Sequence, residues 1–374
     1  MSNRIVVTKY ESKYIIVFIK DNIAIKIRAI DDYRELSDIV YLGRVESVKN
    51  NISSSFIRYK DGTGFINNSN RKCETVFPVM IKKEASGDKE NALTDKITLC
   101  GLYSIVSETI NGVKFSNKVG ESFKNQFDYF ELKNVIIRNN AQNTDYDSVI
   151  NEYNYLISEL QRINNIYDKR TENNILYNGL PKLIIIIFSE DISEYSEILT
   201  DDKDVYDYID SFFSEYSKKN INMTLPLKLY SDDLVSLKAF ISLSSKIDRA
   251  LNRKVYLDSS AFLIFDYTEA MTVIDVNSGT TRFKGDKQTV IHNINLEAAK
   301  EIALQIKLRN LSGIIIIDFI NEIDTNKSNE LVSFLRKELK NDDSHAKCHG
   351  ITNLGLIEIT RDRKTKPLRE QLWK

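Results

Sequence analysis

The sequence predicts a multidomain chain that combines α/β and α+β architecture, on three observations. Two apolar runs, residues 271–274 and 314–317, each deliver an aspartate at their C-terminal end. A helical segment lies between them, the pattern of a strand–helix–strand crossover within one sheet. Residues 1–34 carry short apolar runs separated by turn residues, a β-meander too small to fold alone. From Tyr41 onward, short strands separated by Asn-Asn and Asp-Gly turns read as a small barrel, for which an OB-fold is the natural candidate.

Composition sets the frame. At 374 residues, with 42% hydrophobic and 28% charged content, the chain has the length of two or three soluble domains and can bury a sizeable core. Net charge is −1, but it is segregated: residues 189–233 hold 12 acids against 4 bases, 41–89 hold 9 bases against 5 acids, and 361–374 hold 6 bases against 2 acids. Nucleic-acid binding needs local positive charge and not a high overall pI, so RNA remains an admissible partner. No run reaches 18 uncharged apolar residues and the N-terminus has no signal-peptide shape, so a cytoplasmic protein without a membrane partner is expected. Cys73, Cys100 and Cys348 lie far apart and form neither a CxxC nor an even framework.

In chain order, the meander turns at Glu11-Ser12-Lys13 and Lys20-Asp21-Asn22. In the barrel segment, Phe56 and Phe65 fall on successive strands with Arg44, Lys49, Arg58 and Lys60 nearby. Aromatics amid bases can stack nucleobases while the cations hold phosphates; the same rings can equally fill a barrel core. A run ending on Arg138 is followed by helical periodicity from Ser148 to Ile163, then by an apolar stretch at 183–188 that reads as a strand buried on both faces. An acidic helix is expected around Val205–Phe213, a strand at 225–230 and a helix over 234–251. A helix over 296–310, capped by Asn293 or Asn295, precedes the 314–317 strand, with Lys300, Lys307 and Arg309 placed to reach phosphates. A packing helix at 328–340 and a strand at 355–363 complete the chain.

The chemistry converges on the two aspartates. Asp275 and Asp318 at the ends of neighbouring strands would supply hard oxygen ligands to a divalent cation, and Asn277 could hydrogen-bond a phosphate. Glu297 is either an outer support or an acid favoured by a helix N-terminus. No nucleophilic triad and no phosphate-cradling glycine loop is present. The His345…Cys348-His349 stretch lacks the partner cluster a structural zinc needs.

The stretch FDYTEAMTVIDVNSG, followed by INLEAAKEIALQIKLRNLSGIIIIDFI, resembles the catalytic core of the ribonuclease E/G family of endoribonucleases. That resemblance implies a ribonuclease H-like subdomain split between 1–34 and 196–250. It also implies an inserted OB-fold RNA-binding domain at 35–107, a 5′-sensor region at 108–195 and a deoxyribonuclease-I-like catalytic subdomain at 251–374. It assigns Asp275, Asn277 and Asp318 to catalysis, with Asp275 and Asp318 as Mg²⁺ ligands, and Phe56, Phe65, Lys89 and Arg138 to RNA. The expected activity is Mg²⁺-dependent cleavage of single-stranded RNA by water attack; the alternative is a non-catalytic RNA-binding protein on the same fold. Several positions depart from the family pattern: Asn139 where threonine is usual beside the sensor arginine, Ser259-Ser260-Ala261 where paired glycines are common, and Asn353 in place of arginine. The cysteine pair that links protomers through zinc in many members is missing, so any homo-oligomer is expected to be held without zinc.

Overall fold

A computed structural model describes residues 3–49, 53–60, 62–67, 69, 71–83, 90–116, 118–127, 132–167, 174–280, 286–321, 324–340 and 342–373. The chain divides into two compact units, one formed by Met1–Asp31, Tyr195–Tyr206 and Leu227–Lys374, the other by Asp32–Glu194 and Asp207–Pro226.

The first unit carries two sheets. In one, the meander Arg4–Tyr10, Lys13–Lys20 and Ile23–Ile30 is antiparallel, and Glu197–Thr200 then Leu227–Leu229 extend it in parallel beyond Arg4–Tyr10. Its tight turns use positive φ at Glu11, Asp21 and Asn22, the left-handed region that Asn and Asp tolerate best among non-glycine residues. The expected helix over 234–251 is two helices, Leu237–Phe240 and Leu243–Leu251, because Ser242 takes φ +50 between them.

The second sheet runs in the order Lys254–Tyr256, Phe262–Tyr267, Met271–Asn277, Gly313–Asp318, Ile357–Arg361, Lys347–Ile351. Only Met271–Asn277 and Gly313–Asp318 are parallel neighbours, which requires a long crossover; helix Lys287–Leu308 supplies it. That helix begins well before the predicted 296–310 span. Asp286 caps it, accepting from the Thr289 N–H at 2.9 Å, while Asn293 and Asn295 lie inside it. Leu331, Leu335 and Leu339 of Thr325–Leu339 join Ala298, Ile302, Ile306, Ile315, Ile317 and Ile359 in one core on a single face of the sheet.

A buried ion network ties the two sheets of this unit together. Lys26, 2% exposed, pairs with Asp343, and Arg361 makes a two-pronged contact to Asp342 at 2.8 and 3.0 Å. Burial works against charge on Asp343, yet Lys26, Arg28 and Arg361 hold its carboxyl well below the usual range.

The second unit contains a closed five-stranded barrel. Val40–Lys49, Ser54–Tyr59, Gly62–Asn67, Asn91–Thr94 and Val76–Lys83 pair in that circular order, and Val76–Lys83 returns to Val40–Lys49. Tyr41, Val45, Ile57, Tyr59, Ile66, Phe77, Val79 and Leu93 fill it. A four-stranded sheet and helix Tyr146–Ile166 follow. The 183–188 stretch is not a strand. Lys182–Ile187 is a short helix beginning after Pro181, with Leu183, Ile184 and Ile187 buried. A short unbroken apolar run has no periodicity that separates a buried strand from a buried helical turn.

Candidate active site

The site is built by alternation. Along Met271–Asn277, Thr272, Ile274 and Val276 are buried, so Val273, Asp275 and Asn277 emerge on the opposite face. Along Gly313–Asp318, Ile315 and Ile317 are buried and Asp318 is exposed. The parallel register pairs Ile274 with Ile317 and Asp275 with Asp318, so both carboxylates leave the sheet at the same level of adjacent strands. Neighbouring strands lie about 4.8 Å apart, which puts two carboxylates within reach of one cation. Asn277 donates its amide Nδ2 to the Asp275 carboxylate, so these three predicted site residues share one end of the sheet.

The chain leaves this end through Gly279, at φ +58, where a Cβ would meet the Ser260 carbonyl at 2.4 Å. Ser260, in the place where the resemblance leads one to expect glycine, itself takes φ +69.

Several supporting contacts were not legible as such. Asn295 is fully buried and grips Ile320 through both ends of its amide, donating to the carbonyl at 2.8 Å and accepting from the N–H at 3.2 Å. It thereby fixes the segment two residues beyond Asp318. Glu297 stands in mid-helix, not at an N-terminus, and accepts from the Ser259 N–H at 3.2 Å. Arg309 is 2% exposed and cannot serve phosphates as expected. Its guanidinium lies 3.9 Å from the Phe265 ring centroid and donates to Gln305, the Tyr267 hydroxyl and the Asn252 carbonyl. His292 is buried and faces Glu330 at 3.3 Å. His345 contacts Asp362, His349 contacts the Thr360 hydroxyl and Cys348 is in the core.

Among the described residues no group of three or more His, Cys, Asp or Glu side chains is gathered as a metal cage. Two register-matched carboxylates do fit Mg²⁺, which keeps several waters and is commonly held by one or two carboxylates together with substrate phosphate.

In the second unit, Phe56 and Phe65 are directly opposed across antiparallel strands and half-buried, while the adjacent Ile57 and Ile66 point into the barrel core. The Lys49 ammonium sits 4.6 Å over the Phe56 ring, and Arg44 and Arg58 pair with Glu74 and Glu46. Lys89 lies outside the described residues. Arg138 follows the strand Val135–Ile137 and donates to the Gly101 carbonyl at 2.5 Å and the Phe188 carbonyl at 3.4 Å. Asn139 donates to Asp191 at 3.0 Å. Burial opposes charge on Asp191, but bonds from Ser193, Asn139 and Asn143 hold its carboxyl below the ordinary range. Beside them, fully buried Glu152 accepts the N–H groups of Leu102, Tyr103 and Ser104 and the Ser104 hydroxyl at 2.6–2.9 Å.

Among the described residues no helix is long and apolar enough to cross a membrane. The family model for the ribonuclease E/G family matches residues 74–364. Ribonuclease E of Synechocystis sp. is 27% identical over 357 residues, covering 88% of this chain and 53% of that protein. Ribonuclease G of Escherichia coli is 30% identical over 305 residues, 79% of this chain and 61% of its own length. A ribonuclease E/G-like protein of Pyropia yezoensis is 28% identical over 371 residues, 90% of this chain and 70% of its own. The chain thus spans about half the length of the first of these relatives. With the matched segment running through both strands that carry Asp275 and Asp318, the chain belongs to the ribonuclease E/G family.

Proposed function

We propose that this chain is an endoribonuclease that cleaves single-stranded RNA with Mg²⁺ held by Asp275 and Asp318. The observation that carries the reading is the register of those two aspartates on adjacent parallel strands, with Asn277 bonded to the first. Bound there, Mg²⁺ would relieve charge on the scissile phosphate and lower the pKa of the attacking water. The chain's own groups do the rest. Asp275 and Asp318 fix the place of the cation. Asn277 uses one amide N–H to hold the Asp275 carboxylate and keeps a second N–H for a phosphate oxygen. Asn295, by holding Ile320, limits the freedom of the segment that carries Asp318.

The barrel would hold the RNA. Its circular strand order is that of an OB-fold, and half-buried Phe56 and Phe65 offer stacking faces beside Lys49. Lys89 would join them on phosphate. The two-segment sheet built on the meander is read as the ribonuclease H-like part, and the six-stranded sheet as the deoxyribonuclease-I-like catalytic part. The protein would act in the cytoplasm.

The deciding experiment incubates the purified chain with a short 5′-monophosphorylated single strand in Mg²⁺ or in EDTA. Cleavage only in Mg²⁺, lost in Asp275→Asn, is the expected result. Binding without cleavage in either buffer would instead establish the non-catalytic RNA-binding alternative.

A further inference from the structure

We infer that Tyr256 and Phe262, with Lys254 beside them, form a base-stacking subsite for a nucleotide flanking the scissile phosphate. The inference rests on the reading of Asp275 and Asp318 as the cleavage site and specifies how the substrate lies across that sheet.

Register places these side chains. Tyr256 pairs with Phe262, and Phe262 pairs with Asn277, so the three form one row across neighbouring strands. Lys254 pairs with Ile264, Ile264 with Asp275, and Asp275 with Asp318, forming the next row on the same face. The intervening Val255, Leu263 and Val276 point the other way, into the core beneath the helices. From Asn277 to Tyr256 is therefore two strand spacings, about 10 Å, along the face of the sheet opposite that core.

Chemistry gives the row its use. Tyr256 is 67% exposed and its ring centroid lies 6.0 Å from that of half-buried Phe262, the planes inclined at 60°. The Lys254 ammonium stands 3.6 Å over the Phe262 ring and 4.6 Å from that of Tyr256. A single exposed aromatic means little on any protein surface. Here two aromatics and a cation continue the row and face of the candidate catalytic groups, a combination that matches a nucleobase with its attached phosphate. Neither ring of this pair belongs to the apolar core, so packing does not require them.

The test compares wild type, Tyr256→Ala and Tyr256→Trp on a short single-stranded RNA and on versions of it made abasic at one position at a time around the cut. Binding is read by fluorescence anisotropy in EDTA, and KM and kcat are read in Mg²⁺. Tyr256→Ala should weaken binding and raise KM about tenfold with kcat little changed, and Tyr256→Trp should restore both. At one position adjacent to the cut, the abasic RNA should be bound equally by wild type and Tyr256→Ala. Unchanged affinity in Tyr256→Ala, or a penalty that persists at every abasic position, would overturn the subsite. If wild type binds but does not cleave, the catalytic reading fails on its own, while the EDTA arms still decide whether the base is stacked. Circular dichroism of Tyr256→Ala should match wild type, as expected for so exposed a side chain.

Discussion

Under the proposed function two regions of this molecule would face the same chemical demand, a negatively charged strand, and the fold leaves them in opposite states. At the end of the six-stranded sheet, Asp275 takes a bond from its neighbour Asn277, and Asp318 takes no hydrogen bond or ion pair among the described residues. Around Arg138, by contrast, the groups suited to phosphate are already engaged. The guanidinium serves the Gly101 and Phe188 carbonyls, Asn139 serves Asp191, and three successive amides converge on Glu152. Successive N–H groups turned inward make an anion-binding concavity. Here the fully buried Glu152 carboxyl group fills it, and burial raises its pKa even against these bonds. What a motif can bind depends on which donors and acceptors folding leaves over, and a motif match alone does not report that.

The largest effect should come from the open region. Asp275→Asn or Asp318→Asn should cut cleavage by more than about a hundredfold, since loss of even an outer support of a metal ligand is worth 10–100-fold. The melting temperature should barely move, because neither side chain fills core volume. Wild-type rates in either purified variant would remove the site assignment. The same chemical change at an already matched carboxylate should do the reverse. Asp343→Asn strands Lys26, 2% exposed, without its counter-charge and should cost about 3 kcal/mol of stability. Because the Asp343 carboxyl is depressed in the folded chain, its contribution is complete above the unfolded value near 3.9 and is lost as pH falls through the folded one. The stability gap between wild type and Asp343→Asn, measured by urea melts, should therefore narrow below about pH 4; a gap constant from pH 6 to pH 3 would show that the ion network is not its source.

The open region was also the legible one, for a physical reason. Alternation and apolar runs record which side chains a strand buries, so the strands ending at Asp275 and Asp318 and their shared sheet could be read from 271–274 and 314–317. Helix Thr325–Leu339 showed itself through Leu331, Leu335 and Leu339 in the same way. The failures lie where local pattern is silent. Residues 183–188 are apolar throughout and so carry no period. Asn293 and Asn295 resemble caps in sequence, but Asp286 caps the helix and Asn295 turns inward to Ile320. Arg309 looks like a phosphate ligand on a helix and is instead wrapped by Phe265, Tyr267 and backbone carbonyls from elsewhere in the chain. Partners distant in sequence decide such polar residues, and no window of neighbours contains them.

The barrel sharpens the comparison at smaller scale. Phe56 and Phe65 face away from a core already filled by Ile57 and Ile66, so replacing either with alanine should cost about 1–3 kcal/mol of single-strand affinity with the fold retained. Ile57→Ala, one residue along the same strand, should instead cost about 2–5 kcal/mol of stability. Anisotropy titrations and thermal melts on the three variants would separate the outcomes. Melted Phe variants would return both rings to the core.

The smallest effect is expected at the 5′ end. With Arg138 bonded to two carbonyls and the neighbouring amides occupied by Glu152, a terminal phosphate arriving here would have to displace contacts the protein already makes. Each displaced bond offsets much of what the new one contributes, since the net value of a hydrogen bond is only about 0.5–1.5 kcal/mol. Rates on 5′-monophosphorylated and 5′-hydroxyl versions of one RNA should therefore agree within about threefold, under roughly 0.7 kcal/mol. Arg138→Ala should leave that ratio unchanged while lowering the melting temperature, because it strips a donor from the Gly101 and Phe188 carbonyls. A large preference for the monophosphate, erased in Arg138→Ala, would mean that RNA releases these internal bonds. The two regions would then differ in when they open and not in whether they can.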